Sequence, residues 1–169
     1  MTFLNLDLSH PVVRAAESRT LSLGAVGARC IMDGRPNEGR VAVVEHPIVP
    51  RGLAAPMHLH TREDEFSFIV EGRWGFRLGD ETVYADPGDF VFKPRDVWHT
   101  FWNAGDTPGR ILEIISPAGF EQFFVELAAS LQIEPDNIEA LSAIGEKYGV
   151  QVDYDSIPRL ARELDLVTQ

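Results

Sequence analysis

From residue 20 to residue 115 the chain is a succession of short apolar runs cut by Gly, Pro and Asp. The runs include "TLSLGAVGARCIM", "RVAVVEHPIV", "EFSFIVEG", "WGFRLGD", "ETVYADPGDFVFKP", "VWHTFWNAGD" and "RILEIIS". Pro87-Gly88 and Gly79-Asp80 are turn signals between them. A chain so punctuated buries its apolar residues by pairing strands. The pattern therefore predicts an antiparallel sandwich or barrel. With 169 residues, 44% of them hydrophobic, the chain can build a core for one domain with a short appendage.

The period changes after Ser116. Ser116 reads as an N-cap and Pro117 as the first helical residue. Phe120, Phe123, Phe124, Leu127 and Leu131 then recur on one helical face. That stripe suits packing against the barrel better than a cofactor face. A second helix fits "PDNIEALSAIGEKYG", closed by Gly149, and a short third fits "IPRLAREL". Residues 1–116 are thus expected to form the barrel with an N-terminal extension, and residues 117–169 a helical cap of the same domain.

The formal net charge of −11 disfavours nucleic acid, which is bound through Lys and Arg, and an anionic membrane surface. The single cysteine, Cys30, excludes an internal disulfide and reads as a small buried apolar residue. There is no basic head followed by an apolar run at the start, and no span-length apolar segment. A cytoplasmic protein is expected.

The chemistry concentrates in "GLAAPMHLHTREDEFSFIVEG", residues 52–72. His58 and His60 stand two apart, so on a strand their imidazoles share one face. Such a pair suits a metal ion, or lies idle in a solvent loop. A pair rarely closes a site, so a third nitrogen ligand is required elsewhere. Glu65 follows at the start of the next apolar strand and can return beside the histidines. Glu63 and Asp64 precede it in the turn and read as solvated.

Of the other histidines, His10 and His46 each precede a proline and read as structural or surface residues. His99 sits among Trp98, Phe101 and Trp102 in residues 88–103. It is either a core histidine bonded to a carbonyl or the missing ligand. Alternation from Glu65 and His99 turns Ser67, Ile69, Val97 and Phe101 inward as candidate substrate-pocket residues. Phe66, Phe68, Val70, Trp98 and Trp102 fall on the opposite faces. Those faces need cover from the C-terminal helices or a second subunit, so a homodimer is expected.

Gly52, His58, His60, Glu65 and Gly72 resemble the first cupin motif, G-x5-H-x-H-x4-E-x6-G, at every specified position. Gly88, Pro94, His99 and Asn103 resemble the second, with Asp96 where cupins have Gly. That glycine often takes φ > 0, which Asp tolerates better than most residues. The resemblance implies a double-stranded β-helix, or jelly-roll, barrel. It also implies one divalent transition metal ion (Fe, Mn, Ni, Cu or Zn) held by His58, His60, Glu65 and His99.

The tail "SPAGFEQFFVEL" is similar to that of bacterial quercetinase-like cupins, with Ala118 where Gly is common. That likeness implies a dioxygenase using O2 on a small enolic or aromatic, flavonol-like substrate, with Glu65 as general base. A non-redox cyclase or isomerase of natural-product metabolism, or a small-molecule-binding protein with a structural metal, is the alternative.

Overall fold

The computed structural model describes residues 12–133 and 137–168. His10 lies outside them. The chain lays down β1 (Thr20–Ser22), β2 (Gly27–Met32), β3 (Ala42–Ile48), β4 (Met57–His60), β5 (Asp64–Glu71) and β6 (Trp74–Leu78). Then follow β7 (Glu81–Ala85), β8 (Phe90–Lys93), β9 (His99–Asn103) and β10 (Gly109–Ser116). The C-terminal part contains α1 (Glu121–Ile133), α2 (Ile138–Tyr148), β11 (Val150–Asp153) and α3 (Ser156–Leu164).

The strands form two antiparallel sheets. One has the order β1-β2-β3-β10-β5-β8, the other β11-β4-β9-β6-β7. The antiparallel sheets are those expected from the punctuation, and with the three C-terminal helices they form the jelly-roll barrel that the resemblance implies. Burial along β10 alternates strictly between buried and half-buried residues. Its inward residues, including Ile111 and Ile115, are fully buried. One core cluster, centred on Ile69, Trp74, Phe76 and Ile111, closes one end of the barrel. A second joins Ala28, Cys30, Val44 and Ile115 to Phe120 and Phe124. Burial pushes the Cys30 thiol up to about 12, so it is inert, as its apolar neighbours suggest.

Three local expectations are corrected. Ser116 does not cap a helix. It is the last residue of β10, paired with Asp64, and its hydroxyl donates to the Arg40 carbonyl. Completing the ladder outweighs the local capping preference, and α1 starts at Glu121 after a turn at Gly119 (φ 129°). Second, the cap is not helical throughout: "VQVD", between the second and third expected helices, is a strand. β11 pairs with β4, setting Val150 opposite His60 and Val152 opposite His58. Third, the stripe on α1 serves two purposes. Phe120 and Phe124 are core residues, yet Phe123, Leu127 and Leu131 join them in lining a cavity.

The two outer faces are covered unequally. Trp102, with Leu53 and Met57, is buried under Leu160 of α3. On the other sheet Phe68, Phe90 and Phe92 remain exposed, with Phe66 stacked on Phe92. Among the described residues no helix is long and apolar enough to cross a membrane.

Candidate metal centre

The two sheets bring different chemistry to one point. β4 carries His58 and His60, β9 carries His99, and the β4–β9 pairing sets His58 directly opposite His99. Glu65 comes from β5 in the facing sheet. Ligand atoms of His58, His60, Glu65 and His99 all lie within 4.8 Å of one another, and all four residues are buried. Glu65 Oε2 is 3.5 Å from His60 Nε2 and 3.4 Å from His99 Nε2. The cluster therefore exists only because the sheets close on each other.

Two of the three rings are oriented from behind. His58 Nδ1 lies 2.9 Å from the Pro56 carbonyl and His99 Nδ1 2.9 Å from the Val97 carbonyl. A carbonyl only accepts, so both Nδ1 atoms carry the proton and leave Nε2 as a bare lone pair. Both alternatives weighed for His99 thus hold together: it is a buried histidine bonded to a carbonyl, and it joins the cluster. Burial lowers the His58 and His99 imidazoles below the usual histidine range, which keeps them neutral. His60 Nδ1 faces Glu63 Oε2 at 3.6 Å. Glu63 is buried at 5% exposure, which corrects its reading as a solvated turn residue. Asp64 does face outward, paired with Arg95.

Two of these nitrogens, His60 Nε2 and His99 Nε2, are buried without a hydrogen-bond partner among the described residues. An orphaned buried polar atom costs roughly 1–3 kcal/mol. Three imidazoles and a carboxylate converging on one point are a donor set that a divalent transition ion satisfies. The residues present therefore fit a metal ion.

The turn that carries His99 into place contains Asp96 at φ 62°, where cupins have Gly. Its backbone N–H donates to the His60 carbonyl at 2.8 Å, tying the second motif to the first. Asp is one of the few side chains that accept this conformation, so the departure preserves the turn.

Behind Glu65 lies a network that spacing did not reveal. Lys93 is fully buried, with Nζ 3.0 Å from Glu65 and 2.7 Å from Glu113. Ser67 donates to Glu113 at 3.1 Å. Burial alone would raise the Glu65 carboxyl, but His60, Lys93 and His99 outweigh it and hold the group well below the usual range. Glu113 shares the same lysine less favourably. Burial and the nearby Glu65 charge push it up to about 7, against the pull of Lys93. The signal for both residues was a lone charge at an inward position of an apolar strand.

The cluster opens into a cavity of about 580 Å³ whose walls are mainly Phe, Leu, Ile and Val. His58, Glu65, Glu113 and His46 are polar groups on its lining. Of the expected pocket residues, Phe101 lines it. Ser67 is sealed beneath it by its bond to Glu113, and Ile69 belongs to the core cluster at the closed end. Val97 lies in the turn before β9, where strand alternation has not begun, and contributes its carbonyl instead. His46, read as a structural or surface residue, is 3% exposed and faces this cavity.

Comparison with known proteins agrees with this geometry. Residues 46–115 match the family model described as the cupin domain. A curated relative, "Polyketide synthase CurC" of Streptomyces cyaneus, is 30% identical over 94 residues. The match covers 54% of this chain and 60% of that one, so the chain spans less than two thirds of this relative's length. Among solved structures, a predicted oxalate decarboxylase of Thermotoga maritima superposes with a TM-score of 0.57 at 22% identity, covering 63% of this chain and 98% of that one. KdgF from Halomonas sp. does so with a TM-score of 0.55 at 15% identity, covering 72% and 98%. At such identities these structures share the fold alone. Sequence motif, family match and barrel coincide on the same segment: residues 46–115 are a cupin domain.

Proposed function

We propose that the chain is a metal-dependent cupin enzyme, a dioxygenase acting on a small enolic or aromatic, flavonol-like substrate. His58, His60, Glu65 and His99 hold the metal in this reading. The observation that carries it is the pair of orphaned imidazole nitrogens beside Glu65, in a cluster that opens through His58 and Glu65 into a largely apolar cavity. An apolar pocket with a few convergent polar groups suits a flat organic molecule anchored at one end. When bound, the ion supplies a Lewis acid for the substrate oxygen and, where it is redox-active, a partner for O2.

The chain's own residues handle the proton. Glu65 is the base closest to a hydroxyl entering the cluster. Lys93 weakens it as a base by stabilising its anion, but bridges it to Glu113. A proton taken up at Glu65 neutralises that carboxylate and leaves Lys93 and Glu113 as an ion pair behind the cluster, with no net charge. Phe101, Phe120 and Phe124 keep water from the reacting carbon.

The test is O2 consumption by metal-loaded protein with flavonol or catechol substrates, followed by mass analysis of the product for both added oxygen atoms. No O2 uptake with any enolic or catecholic substrate, over all five candidate metals, would sink the dioxygenase reading.

A second reading draws on the buried Lys93–Glu113 pair. An acid–base group on the cavity wall, Glu113, backed by buried Lys93, also suits a cyclisation or dehydration that needs no oxidant. The likeness to a protein named as a polyketide synthase points the same way. Substrate turnover under strict anaerobiosis would select this alternative. In either reading the exposed Phe68, Phe90 and Phe92 face is covered by a second copy of the chain. Sedimentation analysis of wild type and Phe90→Ser tests that homodimer.

A further inference from the structure

His46 is the buried polar group of the cavity that neither the metal cluster nor the Lys93 network uses. It stands on β3, opposite Ile111 of β10, whereas Glu65 stands opposite Ile115. The two levels are four residues apart along β10, roughly 13 Å of strand at about 3.3 Å per residue. His46 Nδ1 lies 2.8 Å from the Gly27 carbonyl. Since that carbonyl only accepts, Nδ1 holds the proton and Nε2 is an acceptor. The ring is fixed by an edge contact with Phe124 at 5.1 Å and a tilted one with Phe101 at 6.3 Å. No hydrogen bond or ion pair reaches its Nε2 among the described residues. Burial also pushes the imidazole down to about 4, so it stays an acceptor at neutral pH.

We propose that His46 is a positioning residue: the cavity's ligand is a planar phenolic molecule spanning the cavity, and a hydroxyl at the end away from the metal cluster donates to His46 Nε2. The proposal rests on the reading that the cavity binds substrate. It adds a second polar anchor and with it the substrate class. The aromatic walls accept the flat body, and a second hydroxyl at the far end gives the cavity-facing acceptor a donor. A ligand without that hydroxyl leaves the acceptor bare, which is costly in a dry site.

Zinc-loaded full-length protein is titrated with a flavonol that bears a free hydroxyl on each ring. The comparison is with its mono-methyl ethers that keep the hydroxyl beside the keto group. Wild type is expected to bind the free flavonol about tenfold tighter than one of the ethers, the value of one buried hydrogen bond. The His46 Nε2 nitrogen resonance should move with the free flavonol and stay still with that ether. His46→Asn keeps a donor for the Gly27 carbonyl but has no atom at the Nε2 position. It should erase the tenfold preference at unchanged zinc content. His46→Gln, which returns an acceptor there, should restore part of it.

A merely structural His46 would behave the other way, with Asn silent and Gln harmful to both probes alike. Persistence of the preference in His46→Asn overturns the proposal. So does wild-type indifference to methylation, binding of neither probe, or zinc loss in His46→Asn. The metal and dioxygenase readings fail on different measurements, zinc content and O2 uptake. A protein that binds with the His46 preference yet consumes no O2 loses only the dioxygenase.

Discussion

The two sheets of the barrel bury polar groups in opposite ways. The β4–β9 sheet offers His58 and His99 anchored from behind at Nδ1, with His60 Nε2 and His99 Nε2 lacking a partner at the front. The β5–β10 sheet offers Glu65, Lys93, Glu113 and Ser67, which satisfy one another. One side is prepared for something to arrive, while the charged groups of the other, His46 on β3 apart, are already paired. The lesson is that burial alone does not mark a binding atom. What marks it is burial combined with an orientation that wastes a lone pair.

The comparison breaks most visibly on the unsatisfied side. His99→Ala and His58→Ala should each lose most of the bound metal, by elemental analysis after dialysis, while the fold persists. Removing a neutral imidazole leaves no buried charge, so the thermal midpoint of the metal-free variants should shift by only a few degrees. Equal metal in wild type and both variants would refute the ligand assignment.

On the completed side the effect should fall on stability instead. Lys93→Met leaves Glu65 and Glu113 facing each other in a dry interior without their cation. Breaking a buried ion pair from one end typically costs about 3–5 kcal/mol. Denaturant unfolding of metal-free protein measures it. A loss under 1 kcal/mol would mean that water reaches the network and that the sheet contrast is weaker than drawn. The double variant Lys93→Met, Glu113→Leu should recover part of the loss, because it removes one of the two stranded carboxylates.

This contrast also explains what could be read before the fold was seen. His58, His60, Glu65 and His99 were legible as a set through the resemblance to the two cupin motifs, each confined to a short segment; alternation and spacing alone offered the histidine pair and left His99 open. Lys93 and Glu113 were not, although each is a lone charge at an inward position of an apolar run, in "FVFK" and "ILEII". Their meaning depends on β5 lying between β8 and β10, a pairing of segments far apart in the chain. His46 was misread for the same reason: the residue before Pro47 looks like a strand end. The β3–β10 ladder runs on to Ile48, so His46 stays inside. β11 left a trace in the alternation of "VQVD", overshadowed by the helices on either side.

His46 gives a pH test of the same contrast. Its imidazole falls from 6.5 to about 4 on folding, because burial disfavours the charged ring. The unfolded chain therefore binds the proton more readily between these values. The contribution is fully present above about pH 6.5 and is lost as pH falls toward 4. The shift corresponds to about 3 kcal/mol at 1.36 kcal/mol per pK unit. Glu113, raised to about 7, opposes it. That term favours the folded state at low pH and is lost as pH rises through 7. Wild-type stability thus hides both terms, and the difference between wild type and His46→Phe isolates one. The gap should narrow in Phe's favour by up to about 3 kcal/mol from pH 6.5 to 4. A pH-independent gap would mean that His46 is hydrated in the folded state.

The smallest effect concerns the one imidazole not anchored to a backbone carbonyl. His60 Nδ1 and Glu63 Oε2 are both buried, both unpartnered and 3.6 Å apart, slightly too far for a hydrogen bond. With His60 Nε2 held as a ligand, the ring's proton sits on Nδ1, where it can donate to the Glu63 carboxylate once the two close up. Partners of this kind orient a ligating histidine, and losing one typically costs about 10–100-fold in metal affinity. Glu63→Ala should therefore weaken metal binding within that range in a competitive chelator titration. Glu63→Gln, which keeps the accepting oxygen but not the charge, should fall between it and wild type. Asp64→Asn, one residue on, should leave affinity unchanged because Asp64 pairs outward with Arg95. If Glu63→Ala and Asp64→Asn behaved alike, Glu63 would be a buried spacer, and His60 would owe its orientation to ring packing against Phe120 and His99.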